Sequence, residues 1–330
     1  MSLDDMLIDR RALLGGFAAA AGTLIGPARA AGYPERFVKI VVPFAAGGTT
    51  DIIARILSLK MPQLLGQSVV VENKGGGGGV IGATETAKAT PDGYSLGIAT
   101  VSTVATAPAI QPKTPYNPLT DFTPIINVAA TPNVISVHPS FPAKDYEGFL
   151  AEIKANPGKY TYATPGVGSI MHLQTELFLD MTGTKIRHVP YRGAGPALND
   201  AVAGQVSMMS DNFPSSQPFF SNGMLVPIVV SAPKRIAAFP NVPTFAEVGL
   251  PVVNRVAFYG VVGPKGLPDD VVKKVHDVVK KTLEDADVRK RIEETGSDIV
   301  GNSPAEFAEQ IKAEYAVYKK VVEDRNLKPE

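Results

Sequence analysis

The chain of 330 residues has no cysteine and only four histidines, His138, His172, His188 and His276. Without a thiol it loses thiolate catalysis and most structural zinc geometries together. His172 and Glu176 stand one helical turn apart and could turn two ligands to one face. No second ligand pair accompanies them, and two ligands make a poor site, so no metal is expected. His276, among valines and lysines, reads as a boundary residue.

Two glycine patterns suggest chemistry that their contexts deny. "GYSLG", Gly93 to Gly97, fits the nucleophile elbow, which needs its serine between a strand and a helix. Here Asp92-Gly93 makes the turn and Ser95 begins a strand, so the order is reversed. "GGGVIG", Gly77 to Gly82, fits the dinucleotide pattern. That fingerprint wants its first glycine at the strand end, where Glu72-Asn73-Lys74 and two more glycines intervene. Glu85 and Asp92 also fall short of the acidic position about 20 residues on. No cofactor is expected, and no nucleophile, base and oxyanion site can be assembled, so the chain is expected not to be an enzyme.

Four loops share a different design, with small residues at the end of a strand and a helix following. They are "PFAAGGTTD" (43–51), "ENKGGGGGVIG" (72–82), "ATPGVGSIMHL" (163–173) and "VPYRGAGPALND" (189–200). Ligands on open α/β sheets sit outside the carboxyl ends of strands, where helix N-termini offer free N–H groups and a partial positive charge. A carboxylate or phosphate suits such a place. One loop of this kind is weak evidence, because glycine also serves ordinary turns; four favour a cleft site. Thr49, Thr50 and Ser169 can cap helices and still offer a hydroxyl. Asp51 either braces its own loop or attracts a ligand ammonium group. Arg192, after Tyr191, is either a carboxylate fork or an ordinary exposed arginine.

The elements that must position these loops alternate in type, which predicts an α/β fold with mostly parallel sheets flanked by helices. Strands are expected at Phe37–Val42, Ser68–Glu72, Tyr94–Thr100, Ile125–Ala129, Val134–Val137, Lys159–Ala163, Ile186–Val189, Val206–Ser210, Leu225–Val230 and Phe258–Val262. Pro227 marks an edge or a bend in its strand. Helices are expected after Thr50, Val80, Asp145, Ser169, Gly195, Pro268 and Ser303, the last with a Ser303–Glu306 capping box. Val271, Val272, Val275, Val278 and Val279 form one apolar face, leaving the lysine pairs 273–274 and 280–281 in solvent. Turn residues near Thr131-Pro132-Asn133 and again from Gly249 to Asn254 allow two crossings. Residues 31–132 plus 253–330 would then form one domain and 133–252 an inserted second one.

Residues 1–30 read as an export signal to be cleaved. Arg10-Arg11 precede an uncharged run from Ala12 to Ile25, and "PARA" ends at Ala30. The run is too short to span a membrane, which takes about 20 apolar residues. The arginine pair fits the twin-arginine route, with general secretion as the alternative. No later run is long enough to insert in a membrane. With Lys+Arg 32 against Asp+Glu 32, the chain has no field to draw nucleic acid or anionic lipid.

At these loops the chain resembles the Bug family, the solute receptors of tripartite tricarboxylate transporters. The likeness runs in order through "PFAAGGTTD", "VENKGGGGGVIGA", "PDGYSLG", "YNPLTDFTPI", "GVGSIMHL", "VPYRGAGPALNDAVAGQV", "RIAAFPNVPTFAEVGLP" and "GNSPAEFAEQIKAEYAVYKKVV". It implies a two-lobed, Venus-flytrap receptor of the periplasm, a monomer, that closes on a small carboxylate and passes it to membrane subunits. Dicarboxylates, amino acids and aromatic acids are the family's usual ligands. The resemblance assigns ligand binding to Phe44, Ala45, Ala46, Gly47, Gly48 and Thr49. It assigns facing segments to Gly166, Gly168, Ser169, His172, Tyr191 and Gly193, and an acidic position near the hinge to Asp211. Asp51, Asn73 and Gly78 are expected to support the loops. Ala46 stands where the family usually has proline, and Phe258 where tryptophan is frequent, so a particular ligand does not carry over. A sensory co-receptor and, further off, an exported hydrolase are the rival classes.

Overall fold

The computed structural model describes residues 32–328. The export-signal segment expected at 1–30 lies outside the described residues. The chain first lays down β1 (Val38–Val42), α1 (Thr49–Leu65), β2 (Val69–Asn73), α2 (Val80–Ala87), β3 (Ser95–Thr100), α3 (Ala107–Ile110) and β4 (Phe122–Thr131). A second group follows: β5 (Asn133–Val137), α4 (Tyr146–Ala155), β6 (Thr161–Thr164), α5 (Ile170–Thr182), β7 (Arg187–Pro190), α6 (Ala194–Val202), β8 (Met208–Asn212), α7 (Phe213–Ser221) and β9 (Val226–Ser231). The tail is β10 (Ala257–Pro264), α8 (Asp269–Glu284), α9 (Ala286–Glu294), β11 (Asp298–Ile299) and α10 (Pro304–Arg325).

Two sheets result, in the orders β11-β4-β10-β3-β1-β2 and β7-β6-β8-β5-β9. The expected parallel pairing holds among β1, β2 and β3 and among β6, β7 and β8. Where the chain passes between sheets the pairing turns antiparallel. β10 runs against β3 and β4, and β5 runs against β8 and β9. A strand that enters a sheet from the other lobe arrives at the opposite end from one delivered by a crossover helix. Pro227 sits in β9, an edge of its sheet, where the missing N–H breaks no interior ladder.

One apolar core packs α1, α8 and α10 around the first sheet, and two clusters cover the faces of the second. Val271, Val275, Val278 and Val279 are buried and Lys273, Lys274, Lys280 and Lys281 exposed, as the spacing predicts. The capping box of α10 is formed, with Ser303 and Glu306 each accepting from the other's backbone N–H. Three helices escape the periodic pattern. α3 is one turn, α9 is short and highly charged, and Pro214 and Pro218 disguise α7. Among the described residues no helix is long and apolar enough to cross a membrane.

The connections between the sheets are knitted by side-chain amides. Asn133 Nδ2 donates to Gln174 Oε1 and to the Arg255 carbonyl, each at 2.9 Å. Asn212 Nδ2 donates to Asn133 Oδ1 at 2.7 Å, and Gln174 Nε2 donates to the Val253 and Arg255 carbonyls. Both passages between lobes are thereby held to the same buried polar patch.

Candidate functional site

In each sheet the chain reverses its direction of winding about a central strand: β1 between β2 and β3, and β6 between β7 and β8. The loops leaving such a switch point diverge and leave a crevice at the carboxyl ends of the strands. The two crevices face each other. Between them lies a narrow cavity of about 20 Å³, room for about one water molecule, as a cleft with its lobes in contact would leave.

Its wall from the first lobe is Phe44, Gly48, Thr49 and Thr50 after β1, Thr100, Val101 and Ser102 after β3, and Ala257 and Tyr259 from β10. The second lobe supplies Pro165, Ile170, Met171, Ala194 and Asn212. None of these side chains carries a formal charge. The polar character of the wall comes from the N-terminal turns of α1, α5 and α6, with hydroxyls alongside. In α7 the Phe213 amide donates to the Pro132 carbonyl, the Ser215 amide donates to Thr49 Oγ1, and Pro214 has no N–H. Gly48 and Gly193 stand at the N-caps of α1 and α6 with no side chain that could occupy the first amides. The apolar walls are Phe44, Ile170, Met171 and Ala257.

Behind the wall sits a layer that holds the loops in place. The Asp51 carboxylate accepts from the Gly47 amide at 3.1 Å, from Asn73 Nδ2 at 3.0 Å and from Arg55 Nε at 2.9 Å. Asn73 also donates to the Phe44 carbonyl. Burial pushes the Asp51 carboxyl upward, and the bonds from Arg55, Gly47 and Asn73 together outweigh it, so it lies below the usual carboxylate value. All of these partners of Asp51 belong to its own lobe. Tyr191 donates to Asp200 at 2.6 Å, away from the cavity lining, and Arg192 faces the other lobe through its backbone carbonyl. Ser169 accepts from the His172 amide as the cap of α5. The fully buried His172 ring stacks on His188, which in turn stacks on Tyr162.

Asp211 is fully buried at the end of β8. Its Oδ2 accepts from Ser215 at 2.6 Å and Ser216 at 2.9 Å, while Oδ1 has no hydrogen-bond partner among the described residues. Burial raises the carboxyl to about 6, against the two serine hydroxyls that favour its charge. Ser215 Oγ is also 2.9 Å from Thr49 Oγ1, which lines the cavity from the other lobe. Tyr259 lies against Thr49 in the field of Asp211, and burial raises its phenol well above the ordinary value.

The remaining residues named from the sequence gather at the rim rather than on the cavity wall. Ala45 N–H donates to the Arg192 carbonyl across the cleft at 3.1 Å. Thr106 Oγ1 donates to the Gly168 carbonyl, Gln111 Nε2 to the Val167 carbonyl, and the Ile170 amide to Ser102 Oγ. Ala46 and Gly47 pack beside Gly195, Gly193 beside Ala45, and Gly166 beside Gly78. Phe258, on the face of β10 opposite Ala257 and Tyr259, packs on Phe307 with ring centroids 5.5 Å apart.

Sequence reasoning missed β3's contribution although its signal was present. Thr100-Val101-Ser102 repeats the pattern of small and hydroxyl residues at a strand end. Tyr259 had no such signal, since it lies within a strand. It reaches the cavity because β10 pairs antiparallel with β3, setting Tyr259 opposite Thr100.

The family model described as tripartite tricarboxylate transporter family receptor matches residues 53–327. Among curated proteins, BugT of Bordetella pertussis is 36% identical over 274 residues, covering 83% of this chain and 84% of BugT. A solved structure described as a periplasmic transporter is 51% identical, with a TM-score of 0.88, over 90% of this chain and 99% of its own. The structure of R. palustris Rpa4515 with adipate is 35% identical, with a TM-score of 0.86, over 90% of this chain and 100% of its own. Two lobes, a cleft lined by helix N-termini and a match over most of the chain agree: this chain belongs to the tripartite tricarboxylate transporter receptor family, the Bug family of periplasmic solute-binding proteins, which bind their ligands rather than transform them.

Proposed function

We propose that the mature chain is a periplasmic receptor that closes its lobes around a small organic carboxylate and hands it to the membrane subunits of a tripartite tricarboxylate transporter. The observation that carries this reading is the uncharged cavity wall, with the N-termini of α1, α5 and α6 on it. Such a site favours an anion without the desolvation cost of a buried arginine or lysine. The similarity to a protein solved with adipate supports a carboxylate as the anion.

In this reading Phe44, Gly48 and Thr49 touch the ligand, together with Thr50, Ser102, Asn212 and Tyr259. Ala45, Ala46, Gly47, Gly166, Gly168 and Gly193 act at the closing rim, and Ser169, His172, Tyr191 and Asp211 hold the second lobe's loops. Residues 133–252 move as one body against 31–132 plus 253–330. Export would follow the twin-arginine route, the protein would act as a monomer, and the closed form would be what the membrane subunits recognise.

A thermal-shift screen of the mature protein against dicarboxylates, amino acids and aromatic acids tests the reading. A true ligand at 100 times its dissociation constant adds about 2.7 kcal/mol of stability. Stabilisation by a neutral sugar or a nucleotide, with none from any acid, would refute the carboxylate assignment.

A further inference from the structure

Gly195 occupies the second position of α6, and glycine is a poorer helix former than alanine. Its backbone needs no left-handed angle. Pro196 restricts any side chain at this position, and the opposite lobe leaves no room for one. A Cβ on Gly195 would fall well inside 3.0 Å of the Ala46 carbonyl oxygen, and its other near neighbours, Ala46 C and Gly47 Cα, also belong to the opposite lobe. The facing lip repeats the arrangement. A Cβ on Gly78 would collide with the Val167 carbonyl oxygen, and its next neighbours are Ser169 N and Gly168 C, again all across the cleft.

Neither glycine lines the ligand cavity. Neither collision exists once the lobes part, because no atom of the residue's own lobe stands among those neighbours. Between these two positions, Ala45 N–H donates to the Arg192 carbonyl at 3.1 Å, a backbone bond that needs the lips this close. The glycine run of the second loop therefore has a use that neither a dinucleotide cradle nor a ligand contact explains: it presents bare backbone to bare backbone.

We propose that Gly195 and Gly78 are closure-positioning residues: each is glycine so that the two lobes can meet, and a methyl group at either site holds the receptor open. The proposal rests on the reading of the chain as a closing receptor. In the open form alanine is tolerated at both sites. At Gly195 alanine is the better helix former, although Pro196 restricts the residue before it. At Gly78 the left-handed φ of 63° strains alanine at one residue only. An open lobe pair still offers half of the contacts, but the population able to enclose a ligand falls, and apparent affinity falls with it.

The test compares wild type, Gly195→Ala and Gly78→Ala by calorimetric titration with adipate, L-malate, benzoate and L-glutamate, alongside melting of the ligand-free proteins. Hydrogen exchange of the Ala45 amide, with and without acid, reads closure directly. The expected result is a loss of affinity of at least about a hundredfold in both variants. Melting should stay within a few degrees, and the Ala45 amide should remain unprotected by acid. A folded variant that binds as wild type does, or that protects Ala45 equally, overturns the proposal; should one variant not fold, the other decides. If wild type takes none of the four acids, the carboxylate reading fails by itself and exchange in the ligand-free proteins judges closure. Slower exchange of Ala45 in wild type than in both variants supports the proposal, and equal rates in all three overturn it.

Discussion

Thr49 Oγ1 and Ser215 Oγ lie 2.9 Å apart, joining the first turn of α1 in one lobe to the first turn of α7 in the other. The Ser215 amide donates to the same Thr49 oxygen, and Ser215 in turn donates to Asp211. A hydroxyl of the cavity wall is thus tied to Asp211, a buried acid of the opposite lobe. The tie exists only while the lobes touch.

Thr49→Val keeps the shape of the side chain and removes that tie. Because a hydrogen bond of this kind contributes roughly 1 kcal/mol, affinity for the cognate acid should fall about fivefold to tenfold. Ligand-free unfolding in urea should hardly change, and Thr49→Ser should restore binding. A variant equal to wild type in titration would remove Thr49 from the closing mechanism.

Asp211 should make stability pH-dependent in a definite direction. Its carboxyl rises from 3.8 to about 6 on folding, so the folded chain keeps a proton that the unfolded chain releases. That contribution is fully present below pH 3.8 and is lost as pH rises through about 6. Asp211→Asn, which resembles the protonated form, should gain on wild type by about 3 kcal/mol between about pH 4 and pH 7.5. Urea melts across that range check it; a pH-independent difference would show that Asp211 titrates alike in both states.

Asp51→Asn should cost about 2 kcal/mol, since it deprives Arg55 of its charge partner and weakens the bond to the Gly47 amide. The ratio of affinities for glutarate and L-glutamate should not move. A shift of that ratio by tenfold or more would instead place Asp51 on a ligand ammonium group.

Ser303→Ala removes the capping box of α10, and should lower stability by about 1 kcal/mol without altering ligand affinity. It separates loss of fold from loss of closure. Any change in binding beyond that expected from the unfolded fraction would link α10 to the cleft.

Much of this protein was legible along the chain because strands, helices and caps are local. Alternation of apolar runs with helical spacing marked ten of the strands, and Ser303-Pro304-Ala305-Glu306 announced its own cap. The small residues after β1, β2, β6 and β7 marked the cleft, since parallel strands bring their carboxyl ends to the same side. For Asp51, which the sequence left between a brace and an ammonium contact, its neighbours Gly47, Arg55 and Asn73 supply hydrogen bonds within its own lobe.

What local sequence could not determine is which residues meet across distance. Tyr259 enters the cavity because of an antiparallel register with Thr100, and a register is a property of two strands. Asp211 becomes a weak acid only when packing has removed its water. Gly195 and Gly78 read as ordinary loop glycines until the opposite lobe's carbonyls occupy the space of their missing side chains. The sequence by itself determined most of the elements, the four small-residue loops and the cysteine-free chemistry. Tertiary structure alone decided which of those loops line the cavity, which touch each other, and which groups change their acidity, because burial and contact arise only when distant segments pack.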